Sequence, residues 1–121
     1  MKDLTVILQD SPGTLADLCK ILADAGINIE GISVITYKGE CPIHILVQDA
    51  ADARETLEAN WMDVISERDA LLMEIADQPG ALEKITRKLA KGGVNIEVVY
   101  LTTQAKLALV VDDLTKAQSL L

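Results

Sequence analysis

An α+β fold is predicted, built from two β-α-β-β-α-β units in tandem, with antiparallel sheets, helices on one face, and the second unit lacking its last strand. Three observations predict it. The hexapeptide Asp10-Ser11-Pro12-Gly13-Thr14-Leu15 returns as Asp77-Gln78-Pro79-Gly80-Ala81-Leu82, sixty-seven positions later. Each copy follows a strand-like apolar run and opens an amphipathic helical pattern. Each helical pattern ends in the same phrase, Gly26-Ile27-Asn28-Ile29-Glu30 or Gly93-Val94-Asn95-Ile96-Glu97. Agreement at one fixed offset marks an internal duplication.

The elements follow in order. Leu4-Thr5-Val6-Ile7-Leu8 is a short β-rich run with Leu4, Val6 and Leu8 on one face. Asp10 to Gly13 breaks it, because Pro12 has no amide hydrogen and Gly13 lets the backbone turn. Leu15, Leu18, Cys19, Leu22 and Ala25 then keep helical spacing, and Gly26 is placed to end that helix with a left-handed cap. Ile27 to Tyr37 reads as the second strand. Its apolar phase switches from Ile27 and Ile29 to Ile32 and Val34, which predicts a β-bulge near Glu30-Gly31. Tyr37 to Glu40 is a turn, and Ile43, Ile45 and Val47 form one face of a third strand. Asp49 to Asn60 is a second helix, followed by a short strand through Met62, Val64 and Ile65.

The second copy repeats this from Leu71. Its first strand spans Leu71 to Ala76, and its first helix carries Leu82, Ile85 and Leu89. Its hairpin is three residues shorter, with the change placed at the tip around Gln104-Ala105-Lys106. Its second helix begins near Leu114-Thr115. The order is that of a split β-α-β, ferredoxin-like sandwich. The domains expected are 1–68 and 69–121, with only Ser66-Glu67-Arg68-Asp69 between them. In the strand order 4-1-3-2 a missing last strand leaves Leu71 to Ala76 at a sheet edge, and an open edge is usually covered by another strand. A homodimer assembling four units is therefore expected.

Composition narrows the function. Half of the 121 residues are apolar and a quarter charged, as in ordinary soluble globular proteins. A net charge of −8 disfavours nucleic acid as a partner, since phosphate binding needs clustered Lys and Arg. Trp61, Tyr37 and Tyr100 are too few for a stacking platform. No apolar segment approaches the roughly 20 residues that span a bilayer, so no membrane is expected and a cytoplasmic location is the default. Cys19 sits among helical apolar positions and reads as a small buried side chain, like Cys41 without a partner in the repeat.

Catalytic groupings are sparse. His44, the single histidine, lies on a strand, where such a residue is more often structural. No metal-ligand cluster and no lysine-containing phosphate loop appears, so neither metal nor cofactor is expected, and no enzyme. The paired loops offer more. A helix N-terminus presents unpaired amides and the positive end of the helix dipole, which suit a carboxylate. Gly13 and Gly80 leave room for a small ligand, Asn28 and Asn95 offer donor and acceptor atoms, and Asp10 and Asp77 can take an ammonium. Those groups suit a free amino acid. The same residues also serve simply to turn a strand into a helix; it is their recurrence together with Gly-x-Asn-Ile that sets them apart.

That combination resembles the ACT domain family. The resemblance rests on Asp10-x-Pro12-Gly13-x-Leu15 with Gly26-x-Asn28-Ile29, and on Asp77-x-Pro79-Gly80-x-Leu82 with Gly93-x-Asn95-Ile96. The second copy is especially similar to the serine-sensing domain of 3-phosphoglycerate dehydrogenase. That domain carries a histidine on its first strand where this chain has Leu8 and Ile75, so serine itself is not implied. The resemblance implies a non-catalytic regulatory protein that binds an amino acid between paired units and signals to a separate metabolic enzyme, transporter or regulator. It also implies that Asp10, Ser11, Pro12, Gly13, Thr14 and Leu15 form a ligand-binding wall in the first copy. Asp77, Gln78, Pro79, Gly80, Ala81 and Leu82 do so in the second, with Asn28 and Asn95 binding across the interface. Two alternatives stand beside this reading: an assembly module with no small-molecule ligand, and a small ferredoxin-like enzyme using His44, Asp10 or Asp77.

Overall fold

The computed structural model describes residues 1–121. It divides into two compact units, Met1–Arg68 and Asp69–Leu121. The first contains β1 (Lys2–Gln9), α1 (Thr14–Asp24), β2 (Gly31–Val34), β3 (Glu40–Val47), α2 (Ala50–Ala59) and β4 (Val64–Asp69), which carries one residue past the division. Its sheet has the order β2-β3-β1-β4, the ferredoxin-like order anticipated from the repeat. β1 and β3 pair antiparallel from Lys2↔Val47 to Gln9↔Glu40, and β2 joins β3 from Gly31↔Leu46 to Val34↔Ile43.

Strand alternation decides what is buried. Leu4 and Val6 on β1 share a face with Ile43, Ile45 and Val47 on β3, and all five are 0% exposed. Leu18 and Leu22 of α1 and Ala53 and Leu57 of α2 complete that core. Each fully buried Leu or Ile contributes about 1.5–3 kcal/mol relative to exposure. The opposite strand face carries Asp3, Thr5 and His44. His44 Nδ1 lies 3.0 Å from Asp3 Oδ2 and 3.2 Å from Thr5 Oγ1, so this polar group is satisfied by its own neighbours. Both cysteines are free thiols: Cys41 is buried and Cys19 packs half-buried against the core.

The second unit contains β5 (Leu71–Met73), α3 (Ala81–Lys91), β6 (Ile96–Leu101), β7 (Leu107–Val111) and α4 (Leu114–Leu120). Its three strands run in the order β5-β7-β6, so the first strand lies at an edge. Leu89, Val94, Leu107, Leu109, Val111 and Ala117 form its core, flanked by Leu71, Met73, Ile75 and Ile85.

Several local expectations need correction. The edge strand of the second unit covers Leu71–Met73 and not the run to Ala76, because only those three residues find partners on β7. Ser66 to Asp69, read as a connection, belong to β4, and Ala70 alone stands between β4 and β5. The bulge is present in the second unit as a register shift between Ile96 and Val98. In the first unit residues 27–30 precede the strand, with Glu30 N–H donating to Leu46 O at 2.8 Å. The hairpin difference is not confined to the tip. The first hairpin closes on two residues, Lys38 and Gly39, within the Tyr37–Glu40 bridge. The second closes on three, Thr103 to Ala105, inside the Thr102 N–H to Lys106 O bond. The arms of the first hairpin are therefore longer and its tip is shorter.

Three helices end alike. Behind α1, Gly26 N–H donates to Ala23 O and Ile27 N–H to Leu22 O; behind α3, Gly93 N–H donates to Ala90 O and Val94 N–H to Leu89 O. This is the Schellman arrangement, whose turning residue is left-handed and usually glycine. Behind α2 the same pair of bonds runs from Trp61 to Glu58 and from Met62 to Leu57, with Trp61 at φ 64.

Candidate functional site

The two strand-to-helix loops are built on one plan. Gly13, at φ 93 and ψ −15, is the N-cap of α1; Gly80, at φ 86 and ψ −7, is the N-cap of α3. A left-handed backbone at these positions calls for glycine. A Cβ at either would meet nothing within 4 Å, so the restriction is conformational and the space above each glycine is open. Glycine brings no side-chain acceptor, and neither α1 nor α3 has a side-chain cap. By contrast Asp49 caps α2 by accepting from Asp52 N–H, and Asp113 caps α4 by accepting from Lys116 N–H, each at 3.0 Å. The helices behind the repeated motif thus present first-turn amides and a positive dipole end with no resident anion on the cap.

The loops differ in what holds them. In the first, Thr14 Oγ1 donates to Gln9 O at 2.9 Å and lies 3.1 Å from Ser11 O. Asp10 N–H donates to Gly39 O at 3.1 Å, and Thr36 Oγ1 donates to Asp10 Oδ1 at 3.5 Å. The β2–β3 hairpin thereby latches the loop. In the second, Ala81 stands in place of Thr14 and that hydroxyl bridge is gone. What remains is the pair of backbone bonds common to both loops: Gln78 N–H donates to Ala76 O at 3.0 Å and Ala81 N–H to Gln78 O at 3.3 Å, as Ser11 N–H does to Gln9 O and Thr14 N–H to Ser11 O. Beside this loop is a cavity of about 340 Å³. Ala76, Asp77 and Gln78 line it from the loop, Ala81 and Leu82 from α3, Leu101 from the end of β6, and Ile75 and Ala105 from the flanking segments. Its size is at the small end of ligand pockets.

Leu15 and Leu82, expected on the core faces of their helices, are 37% and 44% exposed. As the second residue of its helix each lies beside the loop, where the sheet does not reach over it. Asn28 and Asn95 are exposed and stand at the far end of their helices from the loops. A helix of 11 residues separates its ends by roughly 16 Å, so one unit does not bring its Asp-x-Pro-Gly loop and its asparagine together. Asn28 instead lines a recess of about 240 Å³ with the carboxylates of Glu30, Asp49 and Asp52. Asn95 is pinned by its backbone: its N–H donates to Asp112 Oδ1 at 3.0 Å and its carbonyl accepts from Asp112 N–H at 3.1 Å. Sequence reasoning missed Ile75, Leu101 and Ala105 as walls of the cavity. The available signal was the outward phase of Leu101 and the proximity of a hairpin tip to the loop of a split β-α-β unit.

The two units define an α+β, ferredoxin-like fold of the ACT type. Residues 2–59, most of the first unit, match the model of the ACT domain family. In three dimensions the chain is similar to a protein from Bacteroides thetaiotaomicron, at 23% identity and a TM-score of 0.86 over 98% of this chain and 84% of that one. It is also similar to the regulatory subunit of aspartate kinase from Thermus thermophilus in its ligand-free form, at 21% identity and a TM-score of 0.73, covering 98% and 91% of the two chains. The corresponding subunit from Thermus flavus gives 21% identity and a TM-score of 0.76 over 98% and 88%. No curated protein sequence matches the chain. No helix is long and apolar enough to cross a membrane.

Proposed function

We propose that this protein is a non-catalytic regulatory module that binds a free amino acid at its Asp-x-Pro-Gly loops and conveys occupancy to a separate enzyme, transporter or regulator. The observation that carries this reading is the second loop. There an open left-handed glycine, an uncapped helix start, the carboxylate of Asp77 and a cavity of ligand size occur together. First-turn amides suit an α-carboxylate and Asp77 suits an α-ammonium, which is the pairing a zwitterion needs. The ACT match over residues 2–59 and the likeness to aspartate kinase regulatory subunits support a regulatory role over a catalytic one. His44, one of the three residues an enzyme reading would use, is engaged with Asp3 and Thr5 on the sheet.

Asn28 and Asn95 reach such a ligand only from another unit, which fits a homodimer. The edge strand β2 supports one, since Ile32 and Val34 on it and Ile35 just beyond are 38%, 41% and 62% exposed, and apolar edges template pairing with another chain. The mechanism is linkage: a ligand that prefers one arrangement of units shifts the population toward it. Thermal shift across the twenty common amino acids tests the proposal. A selective ligand at a hundred times its Kd raises stability by about 2.7 kcal/mol, and a flat panel would overturn the reading in favour of an assembly module.

A further inference from the structure

The cavity beside the second loop has a chemical character as well as a size, and the selectivity inferred for it rests on the amino-acid-binding reading above. Two of its wall positions are alanines where the first unit has polar side chains. Ala76 and Ala81 correspond, sixty-seven positions apart, to Gln9 and Thr14, and Ala105, on the hairpin tip whose length differs between the units, adds a third small apolar side chain. Each change removes a group that would have to be desolvated against an apolar ligand. Around these methyls stand Ile75, Leu82 and Leu101, and the last two are 44% and 58% exposed.

Ala105 sits at the hairpin tip with φ 59, as Lys38 does with φ 50 at the tip of the first hairpin, so its backbone is that of the turn. Its place in the cavity wall, with no polar side-chain atom, keeps that side of the cavity apolar.

We propose that this cavity selects an amino acid with an uncharged aliphatic or thioether side chain, of the class of valine, leucine, isoleucine and methionine. Asp77 takes the ammonium, the uncapped amides of α3 take the carboxylate, and the side chain lies against Leu82, Leu101 and the alanines. An acidic side chain finds no cation among the lining residues, and a basic one competes with the α-ammonium for the single carboxylate there.

The test is isothermal calorimetry on the full chain with leucine, isoleucine, valine and methionine against serine, lysine and aspartate. It is repeated in Ala81→Thr, which restores the first unit's residue, and in Leu101→Ser, with a ligand-free melt to show that both variants fold. The expected result is binding confined to the aliphatic set and weakened about tenfold or more in both variants. Binding of only polar or charged amino acids would leave the regulatory reading standing and overturn this selectivity. Aliphatic binding indifferent to both substitutions would overturn the assignment to this cavity. No binding by any amino acid would overturn the proposed function itself, and the selectivity with it.

Discussion

Trp61→Gly should stabilise this protein, although it deletes the largest side chain in the molecule. Trp61 holds the left-handed position of the Schellman turn behind α2, at φ 64, where α1 and α3 use Gly26 and Gly93. Its side chain is 96% exposed, so removal forfeits almost no buried area. The two turn bonds, Trp61 N–H to Glu58 O and Met62 N–H to Leu57 O, both 3.1 Å, are backbone bonds and survive the change. Releasing a non-glycine residue from the left-handed region yields about 1–2 kcal/mol. The greater freedom of glycine in the unfolded chain offsets about 0.5–1 kcal/mol of that. The net expectation is a gain of about 0.5–1 kcal/mol, or a Tm several degrees higher for a unit of this size. Urea unfolding followed by circular dichroism measures it, since the substitution removes the only indole. Gly26→Ala is the mirror experiment and should lose about 1 kcal/mol. A loss of 1 kcal/mol or more in Trp61→Gly would refute the reasoning, because it would mean that the indole makes contacts its exposure denies.

Further expectations concern the loops and the assembly. Gly80→Ala meets no atom within 4 Å, so it should cost only the backbone strain, about 1 kcal/mol by urea unfolding, and a much larger loss would show hidden crowding. Asp113→Ala removes the cap on Lys116 N–H and should destabilise the second unit by about 1 kcal/mol, with no change in amino-acid affinity. Light scattering at micromolar concentration should return a dimer; a clean monomer would remove the homodimer proposal.

The fold was legible because strand alternation and helical spacing occur twice, so each copy checks the other. Leu18, Leu22, Ile43, Ile45 and Leu57 are all 0% exposed and all stood out by their periodicity. Length was harder. β5 stops at Met73 although Ile75 keeps the strand phase, because strand length depends on a partner, and β7 offers only Leu107 to Leu109 opposite it. The left-handed turn into α1 and α3 was legible at Gly13 and Gly80, whose chemistry is local. The walls of the cavity beside the second loop were less so, since Leu101 and Ala105 join that loop only through the fold, and a hairpin tip gives no periodic signal. The two asparagines were expected to bind across an interface between units; within one unit a whole helix lies between each of them and its loop.

The shortness of β5 has a dynamic consequence. Three residues paired to one neighbour at a sheet edge make the weakest ladder of the second unit, and weakly paired edges open first under native conditions. β5 leads within two residues into Ile75, where the cavity wall begins. Anything that seats itself in that cavity and steadies the wall should slow amide hydrogen exchange at Leu71 to Met73 ahead of the core strand β7. The frayed end of this sheet would then be the place where occupancy is felt as order.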